Sequence, residues 1–213
     1  MKMYIILLLV GVADAFSQST LIDQSYTPAN PVFNYYLNYG AEGTLYYLGQ
    51  EFTPTFSSLN FVDLNIGTRI GSEVALPLGV AIHSDTIDGP ILGSSTLIYF
   101  GPNSYYTGEA RLNFPNPVSL VPGQRYVIEP VTIRGTVGGE NISIGVPQAG
   151  SGSLYDGGRW IYGLTTLPIT YYDNRDMWFR EGLIVPEPST FALAGLALGL
   201  GWLGWKWFKR KMS

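Results

Sequence analysis

Before residue 185 the chain contains no stretch in which apolar residues recur every three to four positions. A helical core needs such a stripe, so its absence points away from helices. Short runs of β-branched and aromatic residues take its place. In Leu59-Asn60-Phe61-Val62-Asp63-Leu64-Asn65-Ile66 the apolar residues alternate, then change phase, which predicts a strand with a bulge after Phe61. Leu78, Val80 and Ile82 share one face, and residues 110–114 alternate. Residues 125–129 follow a Pro122-Gly123 turn, Ile142 and Ile144 flank Ser143, and Met177-Trp178-Phe179-Arg180 reads as the last strand. Turn residues return at intervals of roughly 8–15 positions, the punctuation of an all-β fold. The expected architecture is an antiparallel β-sandwich or jelly roll.

Targeting segments flank this body. Lys2 precedes an unbroken apolar run from Tyr4 to Val12, too short to span a bilayer but suited to the core of a signal peptide. Ala13 and Ala15 supply small residues at the −3 and −1 positions, so signal peptidase is expected to cut after Ala15, following export by the Sec machinery. At the other end, Val185-Pro186-Glu187-Pro188-Ser189 interrupts any regular structure, since each proline lacks a donor and holds its predecessor extended. Residues 190–208 are apolar enough and long enough for one transmembrane helix, given the ~17–25 residues a span needs. Trp202, Trp205 and Trp207 suit the interface, while Lys206, Lys209, Arg210 and Lys211 would anchor the end in the cytoplasm.

Motif, span and basic end, in that order, resemble the PEP-CTERM sorting signal of bacterial exported proteins. The resemblance implies an exosortase, a membrane protease, as the processing partner. It divides the chain into a signal peptide (1–15), a partly ordered leader with one edge strand (16–44), a β-sandwich domain (45–184) and a sorting signal (185–213). It also implies that the helix anchors the protein in the membrane until processing, after which the body belongs to the envelope or extracellular matrix. The body itself resembles, through Tyr47–Thr53, residues 120–128 and residues 176–182, the non-catalytic sandwich modules called choice-of-anchor domains.

Charge and composition narrow the function. Between residues 16 and 185 there are seven arginines, no lysine and fourteen acids, a net charge of −7. An acidic body argues against nucleic acid as a partner. With no cysteine, disulfides, thiolate metal sites and cysteine nucleophiles are excluded.

The remaining chemistry is sparse. His83 ends a strand, and Asp85 and Asp88 follow it; three such groups can hold a metal, but a solvated loop is the simpler reading. Asp85-Thr86-Ile87-Asp88-Gly89 spaces carboxylates like a calcium loop yet lacks its terminal glutamate, so a turn is the better reading. No Gly-x-Ser-x-Gly elbow is present. Glu109 and Glu129 lie in strands, and glycoside hydrolysis would require two carboxylates facing one cleft. Tyr105-Tyr106 and Tyr171-Tyr172 sit in Gly- and Asn-rich turns, where exposed rings could stack on extracellular polysaccharide. The sequence therefore predicts a protein that is not an enzyme and has no cofactor or bound metal. Sugar binding through these four tyrosines, on a binding or weakly catalytic module, is the alternative.

Overall fold

A computed structural model describes residues 18–29, 31–37, 46–69, 75–132, 141–147, 154–164 and 168–186. Strands and turns account for all of their regular structure, and no helix occurs among them. The strands are β1 (Gln18–Tyr26), β2 (Pro31–Tyr36), β3 (Tyr46–Phe52), β4 (Ser58–Arg69), β5 (Leu76–Ser84), β6 (Ile91–Ser94), β7 (Ile98–Phe100), β8 (Tyr105–Ser119), β9 (Tyr126–Val131), β10 (Asn141–Pro147), β11 (Trp160–Leu164), β12 (Tyr171–Tyr172) and β13 (Phe179–Pro186). The expected signal peptide and C-terminal helix lie outside the described residues.

Two antiparallel sheets contain these strands. In the first, β4 is central. Its one edge pairs with β8 from Ser58 to Arg69. Its other edge is shared end to end by two strands: β10 pairs with Ile66–Arg69 and β13 with Phe61–Leu64. The bond from Trp178 N to Gly145 O (2.9 Å) closes the junction between them. β2 lies outside β10 and β1 outside β13. In the second sheet the order is β12-β11-β3-β9-β5, and β6 and β7 both pair with β5. Residues 18–36, read from sequence as a leader with one edge strand, thus supply two strands of the first sheet. They escape pattern reading because Pro28, Pro31 and their polar neighbours hide the alternation.

One core joins the sheets in a sandwich-like arrangement. Val62, Leu64, Ile66, Leu112, Ile144 and Phe179 come from the first; Leu48, Phe52, Leu78, Val80, Ile82, Ile128 and Trp160 come from the second. Their period of two explains why the strands form where they do: each buries one face and leaves the other for charged side chains. A smaller apolar cluster, Ile87, Val127 and Ile161, covers the outer face of the second sheet beneath Tyr47, Ile169 and Tyr171.

The irregularity in the β4–β8 pairing falls one residue earlier than expected, and its extra residues, 114–117, lie on β8. Register with β8 shifts between Leu59 and Phe61, at Asn60. Leu59 and Val62 therefore both face the core, and Phe61 turns to the outer face, where the Arg111 guanidinium lies 4.3 Å from its ring centre. The residue pattern alone could not place the change of phase, because a phenylalanine buried under an arginine reads like one buried in a core. β10 runs on past Gly145 to Pro147.

Candidate functional site at the last strand

β13 is the element through which the body reaches the sorting motif, and three layers of interaction hold it. Backbone pairing with β4 comes first, from Phe179↔Leu64 to Gly182↔Phe61. On its other side β1 approaches closely enough that a Cβ on Gly182 would stand 1.9 Å from Leu21 O. Only glycine fits that gap. Beyond Gly182 the partner is a side chain: Ile184 N donates to Asn60 Oδ1 (2.7 Å), and Asn60 Nδ2 donates to Ile184 O (3.2 Å). The carboxamide stands where another peptide group of the ladder would stand.

Charges on the outer face form the second layer. Asp63, almost fully buried, accepts two bonds from Arg111, at 2.7 and 2.9 Å, and one from Arg180 at 3.2 Å. Arg180 also pairs with Glu109 and lies over the Trp178 ring. Three antiparallel neighbours, β8, β4 and β13, are thereby tied by one carboxylate. The Asp63 bond is also the largest cause raising the Arg111 guanidinium above its ordinary value.

The third layer is inside. Glu181 stands opposite Val62 and so points into the sandwich, 0% exposed. Burial, followed by the nearby Asp23 charge, pushes its carboxyl up to about 8. It lies near the Asp23 side chain and the Gln24 backbone, but neither of its oxygens makes a hydrogen bond of ordinary geometry among the described residues. Asp23 itself accepts from Thr55 N and Phe56 N, both at 2.8 Å, and from the Thr55 hydroxyl. Gln50 joins this polar interior to the chain before β13: it donates to Asp176 Oδ1 (2.9 Å) and accepts from Met177 N (2.7 Å), while Tyr155 N donates to Asp176 Oδ2 (3.0 Å).

β13 finishes on Val185 and Pro186, the first two residues of the proposed motif. Glu187, Pro188 and Ser189, the basic residues Lys206, Lys209, Arg210 and Lys211, and the cleavage-site residues Ala13 and Ala15 lie outside the described residues. Residues 185–211 match the family model of the PEP-CTERM protein-sorting motif. The chain ends in a PEP-CTERM signal. That match supports an exported, exosortase-sorted protein directed to the cell envelope. No curated protein matches the chain. The PEP-CTERM motif thus begins within the last strand of the body, with no linker between fold and signal.

The tyrosines singled out in the sequence divide. Tyr105 is 76% exposed at the start of β8, and Tyr99 of β7, not singled out beforehand, is 64% exposed. Tyr106 leans along its own strand, stacks near Phe100 (5.4 Å) and donates its hydroxyl to Glu109 O (2.6 Å). Gly108, at φ +153°, lies beneath its hydroxyl, where a Cβ would stand 3.3 Å from the oxygen. Tyr172 turns to the core and packs on Trp160 at 5.6 Å. Tyr171 turns outward under the Arg159 guanidinium, 4.3 Å from it. Tyr171 and Tyr172 thus belong to the packing of the second sheet, and Tyr105 stands free.

His83 is not solvated, and the acid that bonds it is Glu129, neither Asp85 nor Asp88. It is buried on the outer face of the second sheet, bonded through Nε2 to Glu129 (2.7 Å) and through Nδ1 to Gly89 O (3.0 Å). A carbonyl and a carboxylate both accept, so both ring nitrogens carry protons. Burial alone would lower its pKa; the bonds to Glu129 and Gly89 and the charges of Glu129 and Asp88 outweigh that and raise it. Asp85 adopts a left-handed φ of +64° in a tight turn closed by Gly89 N to Thr86 O (2.8 Å), and its carboxylate faces Arg125 at 3.4 Å. Glu109 and Glu129 lie on strands of different sheets. No group of three metal-ligating side chains occurs among the described residues.

Sequence reasoning missed the buried Glu51. Arg159 grips it with two bonds, 2.9 and 3.1 Å, and Arg125 approaches at 3.5 Å. A signal was available, since Glu51 shares β3 with core residues in a chain otherwise sparing of charge.

Proposed function

We propose that the chain is a non-catalytic envelope or exopolysaccharide-associated protein, whose β-sandwich body is delivered by export and released or anchored through exosortase action. The observation that carries this reading is the continuity between the last strand and the PEP-CTERM signal: the body is cargo attached directly to its address. Among the described residues the charged side chains satisfy one another across strands: Asp63 with Arg111 and Arg180, Glu51 with Arg159, His83 with Glu129. Such pairing favours scaffold over reaction chemistry, since a catalytic group needs a free valence toward substrate. Before processing, the apolar helix at residues 190–208 holds the protein in the membrane. In a host carrying an exosortase, replacing Pro186-Glu187-Pro188 by three alanines is expected to leave the full-length chain in the membrane. Equal cleavage of both proteins, read by mass spectrometry, would reject the proposal.

Carbohydrate binding is the second reading, favoured by the exposure of Tyr99 and Tyr105 on the consecutive strands β7 and β8. Flat, uncharged rings at a turn suit the apolar face of a pyranose. Retention of the protein on its host's extracellular polysaccharide, lost in Tyr105→Ala and Tyr99→Ala, would promote it. Turnover of that polysaccharide abolished by a single carboxylate substitution would overturn the non-catalytic reading.

A further inference from the structure

The ladder between β13 and β4 ends in an unusual way. At the irregularity in the β4–β8 pairing, four residues of β8 (114–117) lie across from Asn60 with none in register, and its carboxamide reaches across to β13 instead. There it meets both backbone groups of Ile184, donating to the oxygen and accepting from the nitrogen. Along a strand, alternate residues turn their N–H and C=O to the same edge. Gly182 pairs toward β4, and Ile184 follows it on that edge. The next residue in phase is 186, a proline with no N–H to give. Ile184 is therefore the last backbone donor that β13 can present toward β4, and Asn60 holds it.

From this we infer that Asn60 is a positioning residue for sorting: it locks Ile184 into the body and sets where the folded domain stops and the peptide offered to the exosortase begins. The inference rests on the sorting reading above. Its physical ground is the lack of slack. One residue, Val185, separates the clamped Ile184 from Pro186, a span of about 7 Å at most. A protease engages an extended, unpaired backbone, and a backbone already bonded within a sheet is not available to it. Access to the motif then requires either cutting hard against the body or loosening the end of β13. Asn60 opposes the loosening with two hydrogen bonds, each worth about a fivefold shift in a local opening equilibrium.

The test uses the full-length chain in membranes that contain an exosortase, with Asn60→Ala and Asn60→Asp beside the wild type. Asn60→Asp keeps the acceptor for Ile184 N and loses the donor to Ile184 O. Three quantities are read: the rate of cleavage by pulse-chase, the new C-terminus by mass spectrometry, and amide exchange of residues 179–186 against that of the core strands. Intact core exchange establishes that each variant folds. The expected result is faster exchange at Ile184 and cleavage accelerated by roughly fivefold or more in Asn60→Ala, with Asn60→Asp between it and wild type. Cleavage at an equal or slower rate and the same position, with Ile184 exchange accelerated, would overturn the inference and leave the sorting reading standing. Unchanged Ile184 exchange would overturn it too, because the clamp would then hold nothing. Absence of cleavage in the wild type itself would sink the sorting reading and the inference with it.

Discussion

Glu181 faces the interior of the sandwich beside Asp23, and the two carboxyl groups cannot both be ionised at low cost. Asp23 accepts from Thr55 N, Phe56 N and the Thr55 hydroxyl, whereas Glu181 has no partner of ordinary geometry among the described residues and keeps its proton. The folded state thus binds this proton more tightly than the unfolded chain does. Stability is full below about pH 4.5 for this group and falls as pH rises toward 8, by on the order of 1.4 kcal/mol per unit. Asp176, raised by burial, adds to the slope at its acid end. Glu181→Gln is expected to remove most of the loss, so that urea midpoints at pH 6 and pH 9 converge. A variant that loses stability equally at both pH values would refute the neutral-carboxyl assignment.

His83 behaves in the same sense for a different reason. Its pKa lies above 6.5 in the folded state because Glu129 and Gly89 both demand a proton. Its contribution is present in full below pH 6.5 and disappears as pH rises through the folded value. The chain has one histidine, so its NMR titration is unambiguous. A midpoint below 6.5 would exclude the imidazolium bridge.

Arg159→Ala should cost about 2–3 kcal/mol in chemical denaturation, although Arg159 is itself partly exposed. The cost comes from Glu51, which is left buried with the backbone N–H of residue 159 (3.2 Å) and the longer Arg125 contact but without the forked guanidinium. Lysine at 159 should recover part of this at most, since one ammonium cannot reproduce the forked bond. A loss under 0.5 kcal/mol for the alanine variant would mean that Glu51 is better solvated than its burial indicates.

The tyrosines give a paired test. Tyr105→Ala should change stability by less than about 0.5 kcal/mol, and Tyr172→Ala should lower it by about 2–4 kcal/mol through lost packing on Trp160. Reversed magnitudes in thermal melts would exchange their assigned roles.

The core was legible where alternation was regular. Leu78, Val80 and Ile82 face inward as read, and so do Leu112 and Phe114. Legibility failed where polar residues do structural work. Glu181 follows Arg180 and carries no local sign of an interior position, yet it points inward. Asn60 looked like an ordinary polar position, while its carboxamide completes a ladder. His83 looked exposed because its partner, Glu129, is 46 residues away. Each case depends on which strand lies alongside, and β13 beside β4 cannot be read from local spacing. The sorting motif needed no tertiary information, since it is a linear address.

β8 is the longest strand and lies at the rim of its sheet, pairing with β4 on one side. Asn113 O on its other side is taken by Thr96 N and the Thr96 hydroxyl. Alternation turns Glu109 O the same way, and there the Tyr106 hydroxyl covers it. A neighbouring copy seeking to continue the sheet would find two of its acceptors occupied and a tyrosine ring in its path. Where an exported chain meets other copies of itself, that ring is a guard against fibre growth.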